Sequence, residues 1–465
     1  MLSLRPAACA LAAAVLAGCL ARPDYQRPAV ELPAAWKQSA PPAALDGRWW
    51  TIYGDAALNT LVDEALKSNT DLAAAVARVD EARALVRDAE AAFYPTVDAT
   101  GVRRRSLSSA ATGVLPPGVP RELNDTRIAL NVSYEIDLWG RLGTAAQAAR
   151  ADLLATEAAR ETVRIALAAD VAKAWFGLKS LDSQVEATRR ALGLREEALG
   201  LQKKRYEHGL ISEFDYRQLE AEAAAVRAQL PPLERDREAQ EAALAVLLGR
   251  SPKEIIEKAI DRGPKTDAQP VLMAAVVPSG LPSELLLRRP DLVEAEQRLI
   301  AANARVAVAR TALFPSISLT GALGTEAAAM RNLFTGPAGL WSLAAAVAQP
   351  IFSGGRLQAQ TEAAQARERQ VLARYQGAIQ NAFREVRSAL SAQTRARESF
   401  EAQDQRALAL DSALKLARLR YENGLASQLD VIDAERNQLA AEVARQEALR
   451  AQRAAVADLY KALGG

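Results

Sequence analysis

The sequence predicts a mainly α protein built as two tandem repeats, each repeat adding two membrane-crossing β-strands to a shared β-barrel. Three observations carry that prediction. Short sequences recur in the same order in the two halves of the chain. Four segments alternate apolar and polar residues with the period of a strand. Two proline-free stretches of roughly 65 residues carry heptad spacing, the mark of long packed helices.

The recurrences are visible by inspection. Arg205-Tyr206-Glu207-His208-Gly209-Leu210 returns as Arg420-Tyr421-Glu422-Asn423-Gly424-Leu425. Gly140-Arg141-Leu142 returns as Gly355-Arg356-Leu357, and Asp215 and Glu220 return as Asp430 and Glu435. Phe93-Tyr94-Pro95 matches Leu313-Phe314-Pro315. Each half begins with a helix, about 71–92 and 291–313, that ends at an aromatic-proline step. Pro95 and Pro315 disfavour helix in the residue before them, so each is a natural helix-to-strand junction.

The predicted strands lie at about 95–106, 126–139, 315–325 and 340–352. The second is the clearest. Ile128, Leu130, Val132, Tyr134, Ile136 and Leu138 alternate with Arg127, Ala129, Asn131, Ser133, Glu135 and Asp137. Ile317, Leu319 and Leu323 alternate with Ser316, Ser318 and Thr320, and Trp341, Leu343, Ala345 and Val347 continue the pattern. Each strand is long enough to cross a bilayer when tilted. Residues 332–355 hold no charge, but Gly336, Pro337, Gly339, Pro350, Gly354 and Gly355 exclude a single spanning helix. Four strands cannot close a barrel, and an open sheet edge in lipid leaves backbone groups unpaired. Several chains must therefore share the barrel: two supply eight strands, three supply twelve. Arg103, Arg104 and Arg105 near the end of the first strand read either as headgroup residues or as a solvated loop base.

Gly140 and Gly355 stand at the junctions where the long helices open. Leu181, Val185, Thr188, Leu192, Arg195, Leu199, Gln202 and Tyr206 step by four and three, as do Ala407, Leu410, Leu414, Ala417 and Tyr421. Such small and polar seams suit a wall of many helices. Gly209 and Gly424 supply left-handed helix stops at the hairpin tips. Return helices follow, giving hairpins over 141–249 and 355–462. Pro231-Pro232 is expected to break or kink the first return helix.

Composition excludes several functions. The chain has 465 residues, 50% hydrophobic, with Lys+Arg 58 against Asp+Glu 56 and a net charge of +2, which argues against a nucleic-acid surface. One His and two Cys leave no basis for a metal site or a disulfide framework, and no cofactor is called for. No nucleophile elbow, phosphate loop or convincing acid pair stands in the sequence, so the chain does not read as an enzyme. Residues 1–18 read as a secretory leader: Arg5, then an apolar run from Ala7 to Ala17. Leu16-Ala17-Gly18-Cys19 resembles a bacterial lipobox, which implies cleavage before Cys19 and its lipidation; Cys9 is removed with the leader. Leu at position 20, where sorted lipoproteins retained in the inner membrane carry Asp, favours the outer membrane.

Taken in order, several short motifs resemble one family. They are the lipobox ending at Cys19, Trp49-Trp50 with Leu58 and Leu61, Asn69-x-Asp71-Leu72 and Leu138-Trp139-Gly140-Arg141. Leu281-Pro282-Ser283, Arg288-Arg289-Pro290-Asp291-Leu292, Phe314-Pro315-Ser316, Gln349-Pro350 and Gly354-Gly355-Arg356 follow. The chain resembles the outer-membrane factor (TolC-like) family, in its OprM/NodT-type lipoprotein branch. The resemblance implies a homotrimer with a 12-stranded outer-membrane β-barrel, continuous with a 12-helix periplasmic α-barrel and girdled by a small equatorial domain. The domain divisions that follow are a leader at 1–18, an extended segment with equatorial contacts at 19–55, a first repeat at 56–250, a linker and equatorial part at 251–290, and a second repeat at 291–465.

The same resemblance implies a passive efflux conduit served by a periplasmic membrane-fusion (adaptor) protein and an inner-membrane RND-type pump. An ATP-driven type I secretion system is the alternative. It places Asp430 and Asp433 in an acidic ring at a periplasmic gate, and Tyr421 and Asp215 in a latch between neighbouring hairpins. One position departs from the pattern: Ala426 stands where the TolC branch has an Arg that bridges to the Asp. A second reading makes Asp430 and Asp433 helix N-terminal charges, favourable against the helix dipole. Lipidation of Cys19 has a direct test. Cys19→Ser is expected to abolish incorporation of labelled palmitate; undiminished labelling would remove Cys19 as the acceptor.

Overall fold

The computed structural model describes residues 25–29, 31, 47–112, 118, 120–263 and 288–465. The leader, Cys19, most of the extended segment 19–55 and Leu281-Pro282-Ser283 lie outside the described residues. A 3₁₀ turn at Trp49–Tyr53 leads into α1 (Ala56–Ser68) and α2 (Thr70–Ala91). Strands β1 (Thr96–Leu107) and β2 (Glu122–Ile136) precede a helical hairpin, α3 (Arg141–Glu207) and α4 (Glu213–Leu247), and the short α5 (Pro252–Glu257). The second repeat has α6 (Pro290–Thr311), β3 (Ser316–Ala327), β4 (Gly339–Ala348), α7 (Arg356–Glu422) and α8 (Gln428–Leu463). The two long helices, α3 and α7, hold 67 residues each, a length of about 100 Å at 1.5 Å per residue.

The chain divides into two compact units. One comprises Arg78–Glu157 and Glu294–Gln376, with residues 25–29 strapped to it. There the Arg27 guanidinium donates to both carboxylate oxygens of Glu296, at 2.6 and 2.7 Å. The four strands form one antiparallel sheet in the order β1-β2-β3-β4, so β1 and β4 are its edges. β2 starts earlier than the alternation predicts, at Glu122 instead of about 126. Its first residues pair with Ser106 and Leu107 beyond the apolar stretch, so the ladder outlasts the hydrophobic pattern. It stops at Ile136 because Asp137 leaves the ladder: its carboxylate accepts from the Leu142 and Gly143 N–H groups at 3.0 and 2.8 Å and caps α3. β4 stops at Ala348, before Pro350, which has no N–H to give a ladder.

The other unit comprises residues 47–77 with Ala158–Val293 and Gly377–Gly465, as far as they are described. Its core gathers Trp49, Trp50, Leu58, Val62, Trp175, Leu178, Leu244, Leu248 and Ala457, all buried. Trp49 stacks on Tyr460 at 5.3 Å between ring centroids, so the tryptophan pair is a packing anchor. Asp55 caps α1 by accepting from the Leu58 N–H, and the Trp175 indole N–H donates to it at 2.9 Å. Along the predicted seam Val185, Thr188, Arg195 and Gln202 are buried, and Arg195 reaches Glu222 on the returning α4 at 2.9 Å.

Of the break or kink expected at Pro231-Pro232, the break does not occur: α4 runs unbroken from Glu213 to Leu247. Both prolines are exposed, as are Arg227 and Ala228, whose carbonyls lose their helical donors, so water can take those acceptors.

Each repeat closes on itself in the same way. In the first, the Asn69 amide donates to the Leu247 carbonyl at 2.9 Å, while its oxygen caps α2 at Asp71 and Leu72. In the second, the Arg289 guanidinium donates to the Ala462 carbonyl at 2.8 Å and also holds Asp291 and Glu385. The return helix is thereby tied to the start of its own repeat, through different side chains at one place in the fold. The backbone after α4 passes very close: a Cβ on Gly249, at φ 70°, would lie 2.1 Å from the Ser68 carbonyl oxygen. Gly249→Ala is therefore expected to destabilise by at least about 2 kcal/mol, combining left-handed strain with overlap. Gly209→Ala, also left-handed but open within 4 Å, carries the strain alone. Thermal loss of helical circular dichroism checks this, and equal shifts for the two variants would remove the close-contact account.

Candidate functional site: membrane strands and hairpin tips

Two surfaces are distinctive. The first is the sheet. Directly paired residues point to the same side, so the registers define its faces. One face carries Val97, Ala99 and Gly101 of β1 and Ile128, Leu130, Val132, Tyr134 and Ile136 of β2. From β3 and β4 it adds Ile317, Leu319, Leu323, Trp341, Leu343 and Val347. The other face presents Thr96, Asp98, Thr100, Asn131, Ser133, Ser318, Thr320 and Ser342. Among the described residues nothing covers the apolar face: Leu130 is 50% exposed, Leu323 65% and Trp341 78%. A soluble sheet with one wet face inverts this arrangement, burying the apolar side. The alternation, the length of 10 to 15 residues per strand and the bare apolar face together define a sheet made for hydrocarbon. Among the described residues no helix is long and apolar enough to cross a membrane.

The junctions lock strand to helix. Pro95 and Pro315 immediately precede β1 and β3. The Trp139 indole N–H donates to the Pro315 carbonyl at 2.5 Å and its ring stacks on Phe314, tying the end of β2 to the start of β3. Gly140 and Gly355 both have positive φ, 71° and 79°, at the openings of α3 and α7. Arg141 chelates Glu135 through two bonds of 2.9 and 2.7 Å. Sequence reasoning singled out the glycines and passed over Glu135, Asp137 and Trp139 as joint-makers. The signal was present, since a carboxylate five residues before a helical N–H can cap it.

The second surface is the pair of hairpin tips. Gly209 and Gly424 end α3 and α7 identically. The N–H of Leu210 reaches the Arg205 carbonyl and that of Leu425 the Arg420 carbonyl, both at 2.8 Å, with each glycine bonded three residues back. These are paired Schellman stops. Asp215 and Asp430 then begin the return helices from equivalent positions. Asp430 accepts from the Ser427 N–H and hydroxyl at 2.8 Å each, while the Ser427 oxygen accepts from the Asp430 N–H, a complete capping box. The Ser427 hydroxyl, then its N–H, hold the Asp430 carboxyl below its ordinary range. Asp215 accepts from the Ser212 hydroxyl at 2.7 Å. Asp433 is ion-paired with Arg436 at 2.8 Å on its own helix.

The tips also differ. Tyr206 stacks on Tyr216 at 5.2 Å, with Arg217 over Tyr216. The second tip has Val431 where the first has Tyr216, so Tyr421 stays free of such a stack. Tyr421 and Asp215 instead line one groove of about 250 Å³ with Gln202, Arg205, Leu219 and Leu429. Among the described residues no hydrogen bond joins Tyr421 to Asp215.

An exposed apolar sheet for lipid, capped onto paired long hairpins, defines the class: a membrane-embedded channel subunit. A profile of the outer membrane efflux protein family matches residues 61–250 and 281–465, one match on each repeat. The chain is 36% identical over 462 residues to the outer membrane protein OprJ of Pseudomonas aeruginosa, covering 98% of this chain and 94% of that one. It is 33% identical over 463 residues to the cation efflux system protein CusC of Escherichia coli K12, covering 97% of each. A crystal structure of a membrane protein from Pseudomonas aeruginosa superposes with TM-score 0.85 at 34% identity, covering 95% of this chain and 99% of that one. The chain belongs to the outer membrane efflux protein family. It is an outer-membrane efflux channel component of mainly α fold, with strands for a transmembrane β-barrel, and the family works by transport and not by catalysis.

The caps yield a prediction. Ser427→Ala is expected to cost about 1 kcal/mol of local stability, as for other serine caps. Hydrogen exchange of the first-turn amides of α8 checks it; unchanged protection would show that the cap does not hold the tip.

Proposed function

We propose that three copies of this chain form a passive outer-membrane conduit that receives substrates from an inner-membrane pump through a periplasmic adaptor. The observation that carries the reading is the four-stranded sheet with an uncovered apolar face and two unpaired edges. In lipid those edges demand pairing, and pairing β1 of one copy with β4 of the next closes a barrel. Three copies supply twelve strands and twelve long hairpin helices, and the polar sheet face then lines the lumen. The extreme length of α3 and α7 suits a tunnel that bridges the periplasm. An RND-type pump is the partner class we favour, supported by nearly full-length alignment with a cation efflux system protein and a toluene efflux pump outer membrane protein. Cys19 would add a lipid anchor to a protein the barrel already holds.

The gate belongs to the same proposal. Asp430 and Asp433 at the second hairpin tip would converge about the threefold axis. An acidic ring there attracts cations and narrows the tunnel by holding them. Tyr421 and Asp215, on one groove, would join neighbouring tips in the closed state. Ala426 cannot supply a latching cation, so closure rests on packing around Tyr421 in place of a salt bridge.

The purified protein is expected to run as a heat-sensitive trimer and to conduct ions in a planar bilayer. Release from membranes by salt as a non-conducting monomer would refute the channel. Replacing Asp430 and Asp433 together by Ala should raise conductance or weaken block by divalent cations. A channel indifferent in both respects would take these residues out of the aperture.

A further inference from the structure

The outward face of the sheet changes chemistry at one level. The rows Val97–Val132–Gly321–Leu343, Ala99–Leu130–Leu323–Trp341 and Gly101–Ile128–Thr325–Gly339 carry no charge. The next row along β1 brings Arg103, opposite Thr126, and the one after brings Arg105, opposite Asn124. Strand parity puts both arginines on the side of Val97 and Leu130, and sends Arg104 to the other side, opposite Asp125. Arg103 lies about 7 Å beyond the last uncharged row, within reach of a headgroup for a long, flexible side chain. β1 runs outward from α2 toward the loop that leads into β2, so this end of the strand is the one farther from the helices.

The two arginines are not equivalent. Arg105 is ion-paired with Glu122. Among the described residues no carboxylate lies within ion-pair distance of Arg103, and the undescribed stretches 113–117 and 119 of the neighbouring loop contain no acidic residue. Barrel closure does not change this. The strand that would pair with the β1 edge is β4 of another copy, and residues 332–355 around it hold no charge of either sign. The assembled barrel would therefore carry an uncompensated guanidinium, repeated in every copy, just outside the apolar band.

Resting on the membrane orientation proposed above, we propose that Arg103 and Arg105 form a binding site for the phosphate groups of a phosphorylated glycolipid in the outer leaflet. A guanidinium fork matches two phosphate oxygens, and Arg103 has no internal partner to compete. Arg105 is the adjustable member, since Glu122 holds it until a phosphate displaces the carboxylate. The uncharged rows below would take the acyl chains.

The test uses the full-length purified trimer in detergent with two probes, diphosphoryl lipid A and phosphatidylglycerol. Wild-type protein should retain lipid A in preference to phosphatidylglycerol. Arg103→Ser with Arg105→Ser should weaken lipid A retention roughly tenfold, as expected for lost charge-assisted contacts. Glu122→Gln should strengthen it by freeing Arg105, and this variant keeps the test decisive should the double variant assemble poorly. Equal retention of both lipids, or retention unmoved by all three substitutions, would overturn the proposal. Planar-bilayer conductance of the same preparations separates the readings: a conducting trimer without lipid A preference overturns this site alone, and a protein that never conducts overturns the channel.

Discussion

Inside hydrocarbon every backbone N–H and C=O has to find its partner within the protein, because no water is there to supply one. The rest of this structure follows from that demand. Three antiparallel ladders satisfy the interior of the sheet and leave the outer edges of β1 and β4. A soluble protein can leave such edges to water, but a sheet whose apolar face is bare cannot live in water either. The chain is consistent only as part of a closed ring of copies. Oligomerisation is then a condition of the fold and not an addition to it.

A ring of copies needs each copy to present its strands at a fixed angle to its helices, and the structure spends its specific polar contacts on that joint. Trp139 bonds across to Pro315, Asp137 leaves the ladder to cap α3, and Arg141 grips Glu135. These groups are partly buried and each is paired, so together they favour one geometry. The same economy acts where each repeat closes. Asn69 and Arg289 differ in every chemical respect, yet both donate to the last turn of their own return helix. Duplication preserved the demand for a donor at that place and left its identity free. Arg289, being charged and buried, also recruits Asp291 and Glu385, which Asn69 does not need.

Much of this was legible in the sequence because its periods are long and clean. The strand alternation, the duplicated tips and the heptad seam each rest on many residues. What stayed hidden was local and directional. Pro231-Pro232 reads as a break or a kink, and a break presumes that the freed carbonyls have nowhere to go, whereas here they belong to exposed residues and the helix stays continuous. Strand ends moved because a ladder continues wherever partners remain in register, even after the hydrophobic pattern stops, as at Glu122. Asp137, Glu135 and the Asn69–Arg289 equivalence depend on where the chain returns in space, which no periodicity encodes. At the tips the sequence offered both an aperture role and a helix-end role for Asp430 and could not say how its carboxylate is used.

The geometry bears on that choice by showing how the charge is spent. Capping does not consume a carboxylate's charge; it fixes where the charge sits. Asp430 takes both Ser427 donors on one oxygen, Oδ2. Its Ser427 partner is neutral, so the negative charge stays at the exposed start of α8; the Ser427 donors, with a smaller contribution from Arg420, hold the carboxyl below its ordinary range and keep it ionised. Asp433 differs, because the Arg436 guanidinium beside it offsets its field. Asp215, capped by Ser212, resembles Asp430 in keeping its charge uncancelled by its immediate cap. On the proposed reading, an acidic ring about the axis would then draw its strength from Asp430 more than from Asp433. The capping and aperture roles are not rivals, since the cap is what would hold Asp430 still enough for three copies to act together.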